Sequence, residues 1–200
     1  MPRQFKWIFF IVCSCIAGSS TGQLSYIDSV NLYRQEYVKK HGVVKAEEKK
    51  FMRFFPVNEQ YRVVARVERI YEAPWFQMET SGSTRQVYRV YAVVHFSIRD
   101  SLQKLHVYQS QQLMNTEEWA DHLFIPFTDA GSGIASYENG RYLDLHTNDL
   151  ESGSYQLDFN KAYNPYCAYT SSGYNCPIPP LENRLTIYVS AGEMKFENAH

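Results

Sequence analysis

The first regular pattern along the chain is helical. Tyr26, Val30, Tyr33 and Tyr37 recur at spacings of four, three and four residues, which places them on one face of a helix. Ser25, with Asp28 three residues on, supplies the start, because a serine oxygen can accept an amide hydrogen that the first turn leaves unpaired. Lys39 and Lys40 suit the negative C-terminal end, and Gly42 supplies a stop. From Tyr61 the period drops to two: Tyr61, Val63, Ala65 and Val67 alternate with Arg62, Val64, Arg66 and Glu68, as in a half-buried strand. A strand over 75–80 ends at Ser81-Gly82-Ser83. The longest alternation then follows, with Tyr88, Val90, Ala92, Val94, Phe96 and Ile98 on one parity.

A second strand over 103–112 makes a hairpin the simplest connection. With Asp100 and Ser101 as its turn, Phe96 faces Leu105, Val94 faces Val107, and His95 meets His106 on the more polar face. Short strands are predicted over 123–127, 141–145, 154–159 and 184–191, separated by Gly131-Ser132-Gly133, Asn139-Gly140, Ser152-Gly153, Asn164-Pro165 and the proline-rich stretch 176–180. Many short strands with such punctuation predict a mainly β fold, an antiparallel sandwich or barrel-like domain carrying an N-terminal amphipathic helix.

The extreme N-terminus reads differently. Arg3 and Lys6 precede an apolar run from 7 to 17, and small residues fill 18–22, the order of a secretory signal. That run is about 11 residues long, against about 20 for a helix crossing a bilayer. Cleavage after Gly22 would leave a single β-rich domain over 23–200 with no membrane span, exported to a periplasmic or extracellular space. The alternative is lipid anchoring at Cys15 within Val12-Cys13-Ser14-Cys15, a poor version of a lipoprotein box.

Removing Arg3 and Lys6 from the 20 basic residues leaves 18 against 21 acidic ones. That balance gives no electrostatic footprint for nucleic acid. The cluster Lys39, Lys40, Lys45, Lys49, Lys50 and Arg53 is interrupted by Glu47 and Glu48 and reads as a solvated face. With Cys13 and Cys15 in the signal, Cys167 and Cys176 remain as a close pair, most simply a disulfide in an oxidising compartment. No cofactor or metal site is expected, since two cysteines fall short of the four ligands a structural zinc takes. The chain lacks His-Glu-x-x-His, a phosphate-binding glycine loop ending in Lys-Ser/Thr, and a Gly-x-Ser-x-Gly elbow.

Polar and aromatic residues crowd the C-terminal half. Phe127-Thr128-Asp129 is followed by Tyr137-Glu138-Asn139-Gly140-Arg141-Tyr142-Leu143-Asp144-Leu145 and by Asp158-Phe159-Asn160-Lys161-Ala162-Tyr163-Asn164-Pro165-Tyr166-Cys167. Tyr174-Asn175-Cys176-Pro177-Ile178-Pro179-Pro180-Leu181-Glu182-Asn183-Arg184 leads to Ala191-Gly192-Glu193. This succession, over about residues 85–193, resembles the signature of the bacterial Domain of Unknown Function 1684 family. The resemblance implies no established activity, and a function residing in the larger N-terminal portion of longer relatives does not carry over.

Within the signature Arg141, Asp158, Asn160, Tyr163, Asn164 and Glu182 are the ligand-binding candidates. Arg141 and Asp144 have opposite strand parity, so their side chains should diverge, whereas Asp158 and Asn160 share parity and can project together. Two functions follow. One is a non-catalytic extracytoplasmic domain binding a small polar or carbohydrate-like ligand or an envelope partner, with Tyr163, Tyr166, Tyr169 and Tyr174 around the cystine loop supplying aromatic faces. The other is a hydrolase, with or without a metal, using carboxylates such as Asp158 and Glu182 as an acid/base pair. A buried polar network tying loops to the sheet is the plain structural role for the same residues.

Overall fold

The computed structural model describes residues 24–171 and 173–197. The expected signal over 1–22, with Cys13 and Cys15, lies outside the described residues. Helix α1 (Tyr26–Lys40) starts as expected: Ser25 is its N-cap, and its hydroxyl oxygen accepts the Asp28 amide at 3.2 Å. Its last residue is Lys40, and the C-cap is His41 rather than Gly42, in extended backbone with φ −60° and ψ 119°. Val30 is buried, but so is Arg34, which the apolar stripe omits; Tyr33 on the stripe is 40% exposed. Arg34 docks the helix by donating to the Phe55 carbonyl at 2.9 Å and twice to the Asn160 carbonyl, at 3.2 and 2.9 Å. No helix among the described residues is long and apolar enough to cross a membrane.

Seven strands follow: β1 (Arg62–Arg69), β2 (Phe76–Met78), β3 (Gln86–Ile98), β4 (Ser101–Ser110), β5 (His122–Phe127), β6 (Arg141–His146) and β7 (Ser154–Asp158). They form one antiparallel sheet in the order β6-β5-β4-β3-β1-β7, with β2 pairing beside β1 on the same edge of β3. The sheet is curled like a half-barrel around a core that includes Ala65, Val94, Leu105, Ile125 and Leu157. Beyond β7 the chain turns back so that Tyr163 exchanges backbone hydrogen bonds with Tyr142 of β6, at 2.9 and 3.1 Å. Of the two predicted architectures it is the barrel-like one that forms, and α1 is the one α-helix among the described residues.

Two expectations are corrected. The β3–β4 turn is Arg99-Asp100, at φ 48° and 64°, so Ile98 pairs with Ser101, Val94 with Leu105, His95 with Lys104 and His106 with Val93. The expected pairing was displaced by two residues. Such a slip keeps every side chain on its face, so apolar matching could not detect it; the backbone chose instead a turn with two positive φ values, whose twist suits a two-residue hairpin. His95 and His106 are therefore diagonal neighbours on one face rather than directly opposed, and His95 Nε2 lies 2.9 Å from Glu68 Oε2. The second correction concerns 184–191, which forms no strand. Only Arg184 makes an isolated bridge, to Thr128, while Leu185, Val189 and Ala191 enter the core from outside the ladder.

A bulge between Val90 and Ala92 explains how β3 serves two faces. Ala92, Val94 and Phe96 point into the main core, whereas Tyr88 and Val90 pack on the opposite face with Met78, Tyr108, Phe124 and Tyr142. The extra residue flips parity, so one uninterrupted alternation in sequence supplies two hydrophobic clusters.

Between β4 and β5 the ladder is reduced to one pair, Tyr108 with Phe124. The fully buried Asn183 fills the gap beside it. Its Oδ1 accepts the His106 amide at 2.7 Å, and its Nδ2 donates to the carbonyls of His106 at 2.9 Å and Pro126 at 2.7 Å. Pro126 has no amide hydrogen to offer β4, and Asn183 serves its carbonyl. Leaving these buried groups unpaired costs about 1–3 kcal/mol for each group. Asn183→Ala is expected to lower unfolding stability by about 3 kcal/mol or more in urea titration and to speed hydrogen exchange at the His106 amide. A variant as stable as the parent would show that the strands do not need this bridge.

Candidate functional site

The six sequence candidates fall into different environments. Arg141 opens β6 with its side chain pointing into the core and no solvent exposure. One guanidinium nitrogen donates to Asp129 Oδ2 at 2.7 Å and to the Val189 carbonyl at 3.0 Å; the other reaches the Ala191 carbonyl and the Glu193 carbonyl, the latter at 3.3 Å. Burial pushes Arg141 down from its ordinary value, and the Asp129 carboxylate opposes that shift. Asp129 Oδ1 also accepts the Gly131 amide at 2.6 Å.

Asp158 and Asn160 do project together, into a joint between β7, α1 and the loop around Asn58. Asp158 Oδ1 accepts from the Tyr26 hydroxyl at 2.8 Å and the Asn160 amide at 3.0 Å. Asn160 Oδ1 accepts the Asn58 amide at 2.9 Å, and its Nδ2 donates to the Asn58 carbonyl at 2.9 Å. Burial, then the hydrogen bond to Asp158, holds the Tyr26 hydroxyl well above the ordinary tyrosine value, so it remains the donor.

Asn164 is fully buried beside Glu193, whose Oε2 accepts the Asn164 amide at 2.9 Å while Oε1 accepts the Tyr169 hydroxyl at 2.6 Å. Glu193, quoted in the signature but not among the six, is the most perturbed carboxylate here. Burial pushes it up to about 7 against the pull of the Asn164 amide, the Tyr169 and Tyr37 hydroxyls and the Arg141 charge. Glu182, by contrast, is exposed on the short 3-10 turn Leu181–Asn183.

Tyr163 alone of the six lines an open cleft, of about 550 Å³, over the outer face of β5 and β6. Phe124 and Tyr142 form its floor, edge to face with centroids 5.6 Å apart. Tyr33 and Tyr37 of α1 border it, and Trp119, Tyr166 and Tyr174 stand at its exposed rim. Among these rings sits Asp144, whose side chain is 47% exposed. Its Oδ2 accepts the Tyr163 hydroxyl at 2.8 Å, and its Oδ1 lies 3.1 Å from His122 Nε2. Burial and the adjacent Asp144 hold Tyr163 well above its ordinary value, so it donates rather than ionises.

The Cys167–Cys176 disulfide, with Cα atoms 6.2 Å apart, closes the loop that carries Tyr174 and Asn175 to the cleft. Sequence reasoning separated Asp144 from Arg141 correctly but left Asp144, His122 and Trp119 off the candidate set. The signal was the run Leu123-Phe124-Ile125-Pro126-Phe127, apolar on both parities, which marks a strand covered on both faces. Among the described residues, no group of three or more His, Cys, Asp or Glu side chains is placed to hold a metal ion.

Two substitutions test the buried joints. Asp158→Ala leaves the Tyr26 hydroxyl and Asn160 amide without their acceptor and is expected to cost roughly 1–3 kcal/mol in urea unfolding; unchanged stability would remove Asp158 from that role. For Glu193, whose folded value near 7 lies above the ordinary 4.5, the fold favours the neutral acid. Its contribution is fully present below about 4.5 and is lost as pH rises through about 7. The melting temperature should fall across that window, and Glu193→Gln should flatten the fall. An identical pH profile in both proteins would refute the assignment.

Comparisons place this geometry among relatives. A family model described as "Protein of unknown function (DUF1684)" matches residues 49–194, which takes in all seven strands and the whole C-terminal segment through Glu193. The match begins upstream of the 85–193 stretch that carries the sequence resemblance. A solution NMR structure of an uncharacterized protein from Haloarcula marismortui is 31% identical, with a TM-score of 0.63, over 83% of this chain and 92% of that one. No curated protein matches the chain. The breadth of the family match, with the shared fold, shows that the chain belongs to the DUF1684 family, whose molecular function is unknown.

Proposed function

We propose that the chain is an exported, non-catalytic binding domain and that its ligand, a small polar molecule, sits in the aromatic cleft over β5 and β6. The observation that carries this reading is the cleft itself. Small-ligand sites are concave, largely apolar, and carry a few convergent polar groups; here the Asp144 carboxylate, with Tyr163 and His122 upon it, lies among aromatic rings in a space of about 550 Å³. Export is supported by the signal-like first 22 residues and by the disulfide, a bond that persists in oxidising compartments. The hydrolase alternative lacks comparable support, because neither Asp158 nor Glu182 lines this cleft.

The test is a titration with small polar compounds, saccharides included, followed by amide chemical shifts and repeated on Trp119→Ala. Trp119 is 43% exposed, so its truncation should leave stability within about 0.5 kcal/mol of the parent. Saturable shifts confined to the cleft, lost in the folded Trp119→Ala protein, are the expected result. Shifts centred elsewhere, or binding indifferent to Trp119, would move the site away from the cleft.

A further inference from the structure

From the same cleft, and resting on its being a ligand site, we infer that the ligand is a small organic cation, an ammonium carrying alkyl groups, held by aromatic faces with Asp144 as its counter-charge. Three observations lead there. The first is charge: the residues lining the cleft include the Asp144 carboxylate and no lysine or arginine. Lys161, the ammonium over the Tyr33 ring at 5.4 Å from its centroid, does not line the cleft.

The second is ring orientation. Trp119 and His122 meet at 84°, Tyr166 and Tyr174 at 65°, and Tyr142 and Tyr163 at 83°. Rings set at such angles turn their faces in more than one direction, which suits a rounded cation attracted to ring faces better than a flat ligand. A sugar ring stacks best on one flat platform.

The third is the state of the hydroxyls. Tyr163 donates to Asp144, Tyr142 to the Pro177 carbonyl, and Tyr88 to Gln86 Oε1 at 2.8 Å. Tyr37 is directed at Glu193 and Tyr169. With their hydroxyls engaged by the protein, these four of the seven lining tyrosines offer ring surface more than free hydrogen-bonding groups. A polyhydroxylated ligand needs many such partners; an alkylated ammonium needs almost none.

The experiment compares tetramethylammonium and choline with the neutral isostere 3,3-dimethylbutan-1-ol and with a monosaccharide, by amide chemical shifts on the purified protein. Choline should bind at the cleft at least about tenfold more tightly than the isostere, and Asp144→Asn should erase most of that preference. Asp144 is exposed enough for this variant to fold, which its melting curve checks; Trp119→Ala should weaken choline as well. Equal binding of choline and the isostere, or a preference for the monosaccharide, would overturn the cation assignment while leaving the cleft a ligand site. No shift in the cleft with any of the four probes would overturn both.

Discussion

The fully buried Arg141 is the interaction on which the C-terminal third of the molecule depends. A guanidinium withdrawn from water is tolerated only if it is paired and its hydrogens are bonded. Asp129 supplies the charge, and the carbonyls of Val189, Ala191 and Glu193 supply three more acceptors to the two terminal nitrogens, leaving Nε as the one guanidinium nitrogen without a partner. Those carbonyls come from a segment that forms no strand, so the cation replaces the ladder that the segment lacks. Gly192, at φ +77°, allows the close passage: a Cβ there would stand 2.7 Å from the carbonyl oxygens of Phe159 and Ala162. The same passage delivers Glu193 to its buried position under Tyr37 and Tyr169, which joins the C-terminal segment to α1 and to the cystine loop.

Strand parity turns this structural tie into a division of labour. Along β6, Arg141, Leu143 and Leu145 face the core, while Tyr142 and Asp144 face the cleft. On β5, Leu123 and Ile125 face inward and Phe124 outward. The two strands are thus buried on one side by their own barrel and on the other by aromatic residues brought from α1, β2 and the loops. The bulge in β3 matters here, because it turns Tyr88 out to join that second cluster. Without the flip, Tyr88 would compete for the main core and the cleft floor would lose a wall.

Much of this was legible in the sequence, for identifiable reasons. The helix start, the approximate positions of the seven strands that form, the disulfide pair and the divergence of Arg141 from Asp144 all follow from local chemistry or from period. The hairpin register did not, because a displacement by two residues preserves the inside-outside pattern that was used to choose it. The bulge was invisible because Tyr88 and Val90 share sequence parity with Ala92 and Val94 while lying on the other face. The expected strand over 184–191 failed because apolar residues reach the core there without strand pairing, held by Arg141 from a distance in sequence. The site candidates mixed two kinds of residue. Buried polar groups that fasten loops and exposed groups look alike in composition, and only burial separates Asn160 from Glu182.

That separation bears on how the cleft could bind at all. Its rim comes from loops, which in isolation would have to be ordered by the ligand at a cost to affinity. Here the ordering is already done by contacts within the protein. Ser81 pairs with Cys176 through an amide-to-carbonyl bond of 2.9 Å and a return bond from the Cys176 amide to its hydroxyl at 3.1 Å. Ile178 donates to the Glu79 carbonyl at 2.8 Å, and the Tyr142 hydroxyl holds Pro177. The disulfide then fixes Tyr166 and Tyr174 to one another across the loop, with ring centroids 5.0 Å apart. These contacts, together with the disulfide, hold the aromatic rim of the cleft in place.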